Sequence, residues 1–109
     1  MHAHPDLIER LGDIAGSPHV VVPLYGVAVI VHNGVVAVVA LGTDTLLFRL
    51  PQAPEGVEVE DHTEPLCSKG WHAVSPWQSQ LPSAEGLRRL RKLLGKARHY
   101  ADELNAAGT

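Results

Sequence analysis

The sequence predicts an α+β fold in which an antiparallel β-meander sheet is packed by a short N-terminal helix and a long C-terminal helix. Three observations lead to this prediction. Apolar residues recur at helical spacing near both ends of the chain, β-branched residues crowd positions 27–50, and an Asn33-Gly34 pair interrupts the longest apolar run. Because the spacing of apolar residues distinguishes helices from strands, the expected order is helix, meander, loop and helix.

The first element is predicted to be a helix over residues 5–14. Leu7, Leu11 and Ile14 follow one another at steps of four and three residues, which places them on one helical face. Pro5 suits the first turn of a helix, and the Gly-Ser-Pro segment at 16–18 is typical of a helix end.

The centre of the chain is predicted to be a β-hairpin with arms at residues 27–32 and 35–40. Asn33-Gly34 between them tolerates the positive φ angles of a two-residue type I′ turn. Both arms are almost continuously apolar, so we expect both faces of the sheet to be covered at its middle. A turn at 42–44 then leads into a third strand over residues 45–50.

Further strands are predicted on either side of this meander. Residues 57–60 alternate between valine and glutamate as a half-exposed strand does, and residues 70–75 form a Trp-containing apolar segment. Residues 19–22 form either another strand or an extended lead-in that ends at Pro23.

The last predicted element is a helix over residues 84–106, capped by Ser83. One stripe of it is apolar and consists of Leu87, Leu90, Leu94, Ala97, Ala101 and Leu104. Arg88, Arg89, Lys92 and Lys96 lie roughly opposite this stripe, and Arg91 and Arg98 flank it.

Composition and charge limit the class of protein. The chain has 109 residues, of which 45% are hydrophobic, so we expect one globular domain spanning residues 1–109. The net charge is −3, but residues 1–85 hold ten acids and three bases whereas residues 86–101 hold six bases and no acid. One cysteine excludes an internal disulfide, and we find neither a signal peptide nor an apolar run long enough to span a bilayer. We therefore expect a cytoplasmic protein without a membrane partner.

Several segments together resemble a known family. Residues 24–31 lead into Asn33-Gly34, then come the apolar-basic-apolar residues 46–50, the Trp-bearing residues 69–74 and a basic closing helix. In this order the chain resembles the TfoX N-terminal domain family, and YjbR-like proteins are the second comparison. The family often has a Met-Phe-Gly-Gly-like stretch where this chain has residues 22–26, and Gly26 is the matching residue there.

The resemblance implies a curved antiparallel sheet packed by helices, and a link to regulation. It carries over no catalytic residue, because none is established for the family. The function that we expect is therefore a non-catalytic binding or regulatory module that acts through protein contacts and possible homodimerisation.

No metal, cofactor or catalytic site is predicted. His2 and His4 lie at the chain terminus, and the spacing of His62, Cys67 and His72 matches no zinc motif. A small thiol-dependent enzyme that uses Cys67 with a nearby histidine is a less favoured alternative, because no third orienting group is evident.

Six residues are the candidate binding residues: the aromatic Tyr25, Trp71 and Trp77, and the cationic Arg88, Arg91 and Lys92. Tyr100 is a further large side chain of this kind. The alternative for the aromatic residues is structural, with Trp71 packing the last strand onto the closing helix and Trp77 pinning the loop. The cations suit nucleic-acid phosphates, but they also suit simple solvation, or an acidic surface such as residues 55–64 or another copy of the chain.

Overall fold

A computed structural model describes residues 4–17, 20–24, 27–42, 45–59 and 70–107. Its elements in chain order are α1 (Pro5–Ala15), β1 (Val21–Leu24), β2 (Val27–His32), β3 (Val35–Leu41), β4 (Thr45–Arg49), β5 (Trp71–Val74) and α2 (Ser83–Ala107). The strands form one antiparallel sheet in the order β1-β2-β3-β4-β5. This arrangement confirms the predicted α+β meander with a short first helix and a long last helix.

Local chemistry fixes the ends of α1. The Nδ1 atom of His4 accepts a hydrogen bond from the Asp6 backbone N–H at 3.1 Å, so a histidine occupies the N-cap position. The backbone N–H of His4 donates to the Gly42 carbonyl at 2.7 Å and ties the helix start to the turn after β3. Gly16 closes the helix in the left-handed conformation, with φ of 81°.

The Asn33-Gly34 turn joins β2 and β3 as predicted. Asn33 has φ of 51° and Gly34 has φ of 83°, which are the positive angles that a type I′ turn requires. The register shifts between Ile30 and Val31, and Ala37 is the extra residue on β3. Such a bulge turns Ala37 and Val38 to the same side, and both are fully buried in the core.

Residues 57–59, the described part of the strand predicted at 57–60, do not form a regular strand. Within the described part of this segment, Val59 makes only an isolated bridge with Val74. Glu58 explains the difference, because its backbone N–H donates to the Gln78 side chain at 2.6 Å and its carbonyl accepts from the Ser75 N–H at 3.1 Å. The Gln78 side chain thus takes the place of a backbone partner for the Glu58 N–H.

For residues 19–22 the sequence allows a strand or an extended lead-in. The strand is confirmed, but its bounds lie farther along the chain than predicted. Strand β1 covers Val21–Leu24 and includes Pro23 rather than ending before it. A proline is tolerated here because β1 lies at the sheet edge, so the missing N–H removes no hydrogen bond between two inner strands.

The main core lies between one face of the sheet and the two helices. Phe48 from β4 and Leu90 and Leu94 from α2 are fully or almost fully buried in it, together with Leu7 and Leu11 from α1. The long helix lies across β3 and β4, and α1 packs beside it. Phe48 and the leucines of both helices therefore hold the three parts together.

The opposite face of the sheet is also buried at its middle. Val29 and Leu47 both pair with Val39, and Leu47 also pairs with Ala73, so these four residues form a row across the strands. Val29, Leu47 and Ala73 are buried although they do not belong to the helix-side core. The prediction that both faces are covered at the sheet centre is therefore confirmed.

Among the described residues, neither helix is long and apolar enough to cross a membrane.

Candidate functional site

A cavity of about 560 Å³ lies between α2 and the loop that follows β4. Its first wall is the loop of residues 50–55, which contains Pro51 and Pro54. Its second wall is one side of α2 and is lined by Lys92, Leu93, Gly95, Lys96, His99, Tyr100 and Glu103. Its volume is in the range of sites that hold a small molecule or a large side chain of a partner.

The floor of this cavity is apolar and fixed in place. Leu50 and Leu93 are only 3% and 4% exposed, so each presents an edge to the cavity while packing into the core. The Leu50 N–H donates to the Gly70 carbonyl at 2.8 Å, which anchors the start of the loop beside β5. A Cβ atom at Gly70 would lie 3.9 Å from the Tyr100 ring, so Tyr100 stands directly next to this anchor.

A second cavity of about 240 Å³ continues the first toward the N-terminal end of α2. It is lined by Gly56, Val57, Arg88 and Arg89, together with the four residues Glu55, Lys92, Leu93 and Lys96 that line the first cavity as well. The two cavities form one trough, which we call the α2 groove.

The arginines at the N-terminal end of the α2 groove are already engaged. Arg88 and Arg89 donate from their Nε atoms to the Glu85 carboxylate at 3.0 and 2.9 Å. Arg89 also donates to the Gly56 carbonyl at 2.6 Å and so attaches the loop to the helix. Hydrogen bonds from Arg88 and then Arg89 lower the pKa of Glu85 to about 2, and Glu85 raises the pKa of Arg88 in return.

Arg91 lies on another side of the helix and has a structural contact. Its Nε and Nη2 atoms donate to the Asp13 carbonyl at 3.2 and 2.9 Å. That carbonyl belongs to the last turn of α1 and also accepts from the Gly16 N–H at 3.2 Å. Arg91 therefore joins the two helices and does not line the α2 groove.

Lys92 and Lys96 are the uncommitted cations of the α2 groove. Within the ranges that the structure describes, neither side chain makes a hydrogen bond or an ion pair. The two lysines are one helical turn apart, with Cβ atoms about 6 Å from each other. His99 farther along the helix is engaged, because its Nε2 lies 3.1 Å from the Glu103 carboxylate.

The structure does not bring the predicted aromatic residues together. Trp71 pairs with Arg49, whose guanidinium lies 5.4 Å from the indole centre, and strand alternation places both on the sheet face opposite Phe48. The expectation that Trp71 packs β5 onto the closing helix is therefore wrong. Trp77 is 43% exposed and lines a separate cavity of about 260 Å³, and Tyr25 lies outside the described residues.

No group of three or more histidine, cysteine, aspartate or glutamate side chains within the described ranges is arranged to hold a metal ion. His62 and Cys67, which the thiol-enzyme alternative needs, lie outside those ranges, as does His2.

One apolar residue of the α2 groove, its loop wall and the hydrogen bonds of Arg88, Arg89 and Arg91 are not predictable from the helical spacing. Leu93 follows Leu90 by three residues and is not part of the predicted apolar stripe, but it is buried and lines the groove. The wall at residues 50–55 carries no sequence pattern that assigns it to α2. Of the predicted cations, Arg88 and Lys92 do line the groove together.

Comparison with known proteins finds no matching family model, no matching curated protein and no matching solved structure.

Proposed function

We propose that this chain is a non-catalytic binding module that acts through protein contacts made at the α2 groove. One observation carries the proposal: a trough with a buried apolar floor has two lysines, Lys92 and Lys96, that no described residue engages. Apolar floors with a few convergent polar groups are typical of binding sites. The resemblance to the TfoX N-terminal domain family supports a regulatory role, and that kinship, the cytoplasmic location and a homodimer stay predictions.

Nucleic-acid binding is the second candidate, supported by the cations of α2. The carboxylates of Glu55, Glu85 and Glu103 lie among those cations, and Glu85 holds two of the arginines. A phosphate backbone carries charge at every step and would meet these carboxylates, so we rank this candidate below protein binding.

The experiment compares proteins retained from a cell extract by three immobilised versions of the chain. Gly95→Trp blocks the α2 groove, because a Cβ atom at Gly95 meets nothing within 4 Å and the new ring enters open space. Asn105→Trp is the matched control, since Asn105 is exposed on the same helix and lines neither cavity of the groove.

We expect a set of proteins retained by the wild type and by Asn105→Trp but lost from Gly95→Trp, with all three versions showing the same circular dichroism. Equal retention by Gly95→Trp would contradict the assignment of the groove. Turnover of esters, phosphates or nucleotides that is lost on Cys67→Ala would instead support the thiol-enzyme alternative. Duplex DNA that binds at about 50 mM salt, and is released by Lys92→Gln, would favour the second candidate.

A further inference from the structure

We infer that the occupant of the α2 groove is a short acidic peptide segment that carries one large apolar side chain. The inference rests on the proposed function and names the chemistry of the partner at the same site. It follows from the length of the groove, the position of its uncommitted charges, its apolar floor and the positions of its carboxylates.

The length of the groove suits a peptide segment. The helix wall runs from Arg88 to Glu103, which at the rise of an α-helix is about 22 Å. An extended chain covers that distance with about seven residues. A segment of that length would occupy both cavities, of about 560 and 240 Å³.

The lysine pair determines the charge of the occupant and the spacing of its charged residues. Lys92 and Lys96 are one helical turn apart, at about 6 Å between Cβ atoms. Alternate residues of an extended chain point to the same side and are about 7 Å apart. Two acidic residues at alternate positions of a peptide therefore match the two ammonium groups, and each pair forms a charge-assisted contact at no cost to an existing ion pair with a described residue.

The floor of the larger cavity selects an apolar anchor. Leu50 and Leu93 present buried edges there, and Tyr100 lies beside them. Pro51 and Pro54 restrict the backbone of the opposite wall, so little conformational freedom is lost when an anchor enters. A leucine, phenylalanine or tyrosine side chain of the partner fits this space, and its burial contributes to the affinity through the hydrophobic effect.

The carboxylates of the groove limit how many negative charges an occupant can carry. Glu55 lies on the loop wall where the two cavities meet, and Glu103 lies in the larger cavity about two helical turns beyond Lys96. Evenly spaced negative charges along the whole groove would face both of them. A peptide whose only acids lie opposite Lys92 and Lys96 meets less of this repulsion than a nucleic-acid strand does.

The test is selection of displayed random peptides of about seven residues, a length set by the groove, on the wild-type chain with counter-selection on Gly95→Trp. We expect enrichment of peptides with two acids at alternate positions near one large apolar residue. The most enriched peptide, made synthetically with a fluorophore, is then titrated by anisotropy. Its variant with glutamine in place of both acids should bind at least about tenfold more weakly.

Two charge variants of the protein sharpen the result. Lys96→Gln should weaken this peptide about fivefold, because it removes a cation of the groove. Arg98→Gln removes the same charge from the same helix outside the groove, so it should change the affinity less than about twofold. Equal effects of the two variants would overturn the inference.

The remaining outcomes separate this inference from the proposed function. Enrichment of neutral or basic peptides, or no enrichment at all, overturns the acidic-peptide inference. The proposed function still holds in that case if the capture of cellular proteins depends on the groove. If Gly95→Trp retains the same cellular proteins as the wild type, the proposed function fails first and the inference fails with it. Displacement of the selected peptide by duplex DNA at about 150 mM salt would assign the groove to phosphates instead.

Discussion

The Asn33 side-chain amide donates a hydrogen bond to the Asp102 carboxylate at 2.8 Å. This contact joins the turn of the β2–β3 hairpin to the C-terminal half of α2, two places that are 69 residues apart in the chain. His32 adds a second contact, with its Nε2 atom 3.1 Å from the same carboxylate. Because the middle of α2 is already fixed by the core, this contact orients the end of the helix that carries the rest of the groove wall.

Asp102→Asn should lower the melting temperature by a small amount at neutral pH, and the difference from the wild type should vanish in acid. The hydrogen bond from Asn33, followed by that from His32, lowers the pKa of Asp102 below its ordinary value. A carboxyl group with a lowered pKa in the folded chain stabilises it fully above the unfolded pKa and loses this effect as the pH falls through the folded pKa. Thermal unfolding followed by circular dichroism at several pH values measures the difference.

Glu103→Gln is the control for this pH series, because Glu103 is the next residue and pairs with His99 instead of with the hairpin. A loss in Asp102→Asn that persists unchanged at a pH where the wild-type carboxyl is protonated would show that charge at Asp102 is not the cause.

Glu85 should titrate far below an ordinary glutamate, and Arg88→Gln should raise its pKa. In the wild type the two arginines lower that pKa from 4.5 to about 2, with the Arg88 hydrogen bond as the largest cause. The stabilisation from Glu85 is therefore complete above 4.5 and is lost as the pH falls toward about 2. Carboxyl-carbon NMR titration measures the midpoint directly, and Arg98→Gln should leave it at the wild-type value.

Gln78→Ala should cost about 1 to 3 kcal/mol of unfolding free energy, because it removes the side-chain hydrogen bonds to two partly buried backbone groups. Gln78 is 4% exposed, accepts from the Glu58 N–H at 2.6 Å and donates to the Ser75 carbonyl at 2.7 Å. Urea denaturation measures the loss. Gln80→Ala is the control, since Gln80 is exposed nearby and its truncation should stay within about 0.5 kcal/mol of the wild type. Equal losses in both variants would show that the Gln78 hydrogen bonds do not stabilise this segment.

The regular elements could be predicted because their signals are local. The Asn33-Gly34 turn and the valine-rich arms define a hairpin within fourteen residues, and the leucine spacing defines both helices without knowledge of the fold. Residues 57–60 show the limit of this reasoning. Their alternation predicts a strand, but the partner of the Glu58 N–H is a glutamine side chain 20 residues away, and no periodic pattern contains that information.

The α2 groove could be predicted only in part, for the same reason. Helical spacing places Arg88, Lys92 and Lys96 on one side of α2, and that side does line the groove. Which cations are available depends on long-range contacts, such as the one from Arg91 to the end of α1. The loop wall depends on the Leu50 contact with the start of β5, which joins segments 20 residues apart.

Gly95→Ala should raise the unfolding free energy by about 0.5 to 1 kcal/mol, because alanine reduces the freedom of the unfolded chain and favours the helix interior. A Cβ atom at Gly95 meets nothing within 4 Å, so the folded chain accepts it without repacking.

Gly34→Ala is the opposing variant. A Cβ atom there also meets nothing within 4 Å, but φ is +83°, a conformation that costs alanine about 1 to 2 kcal/mol. Because open space is common to both sites, urea denaturation of the pair isolates the backbone effect. A loss in both variants would mean that the space beside Gly95 is filled in solution, and the wall of the α2 groove would then lack the opening described for it.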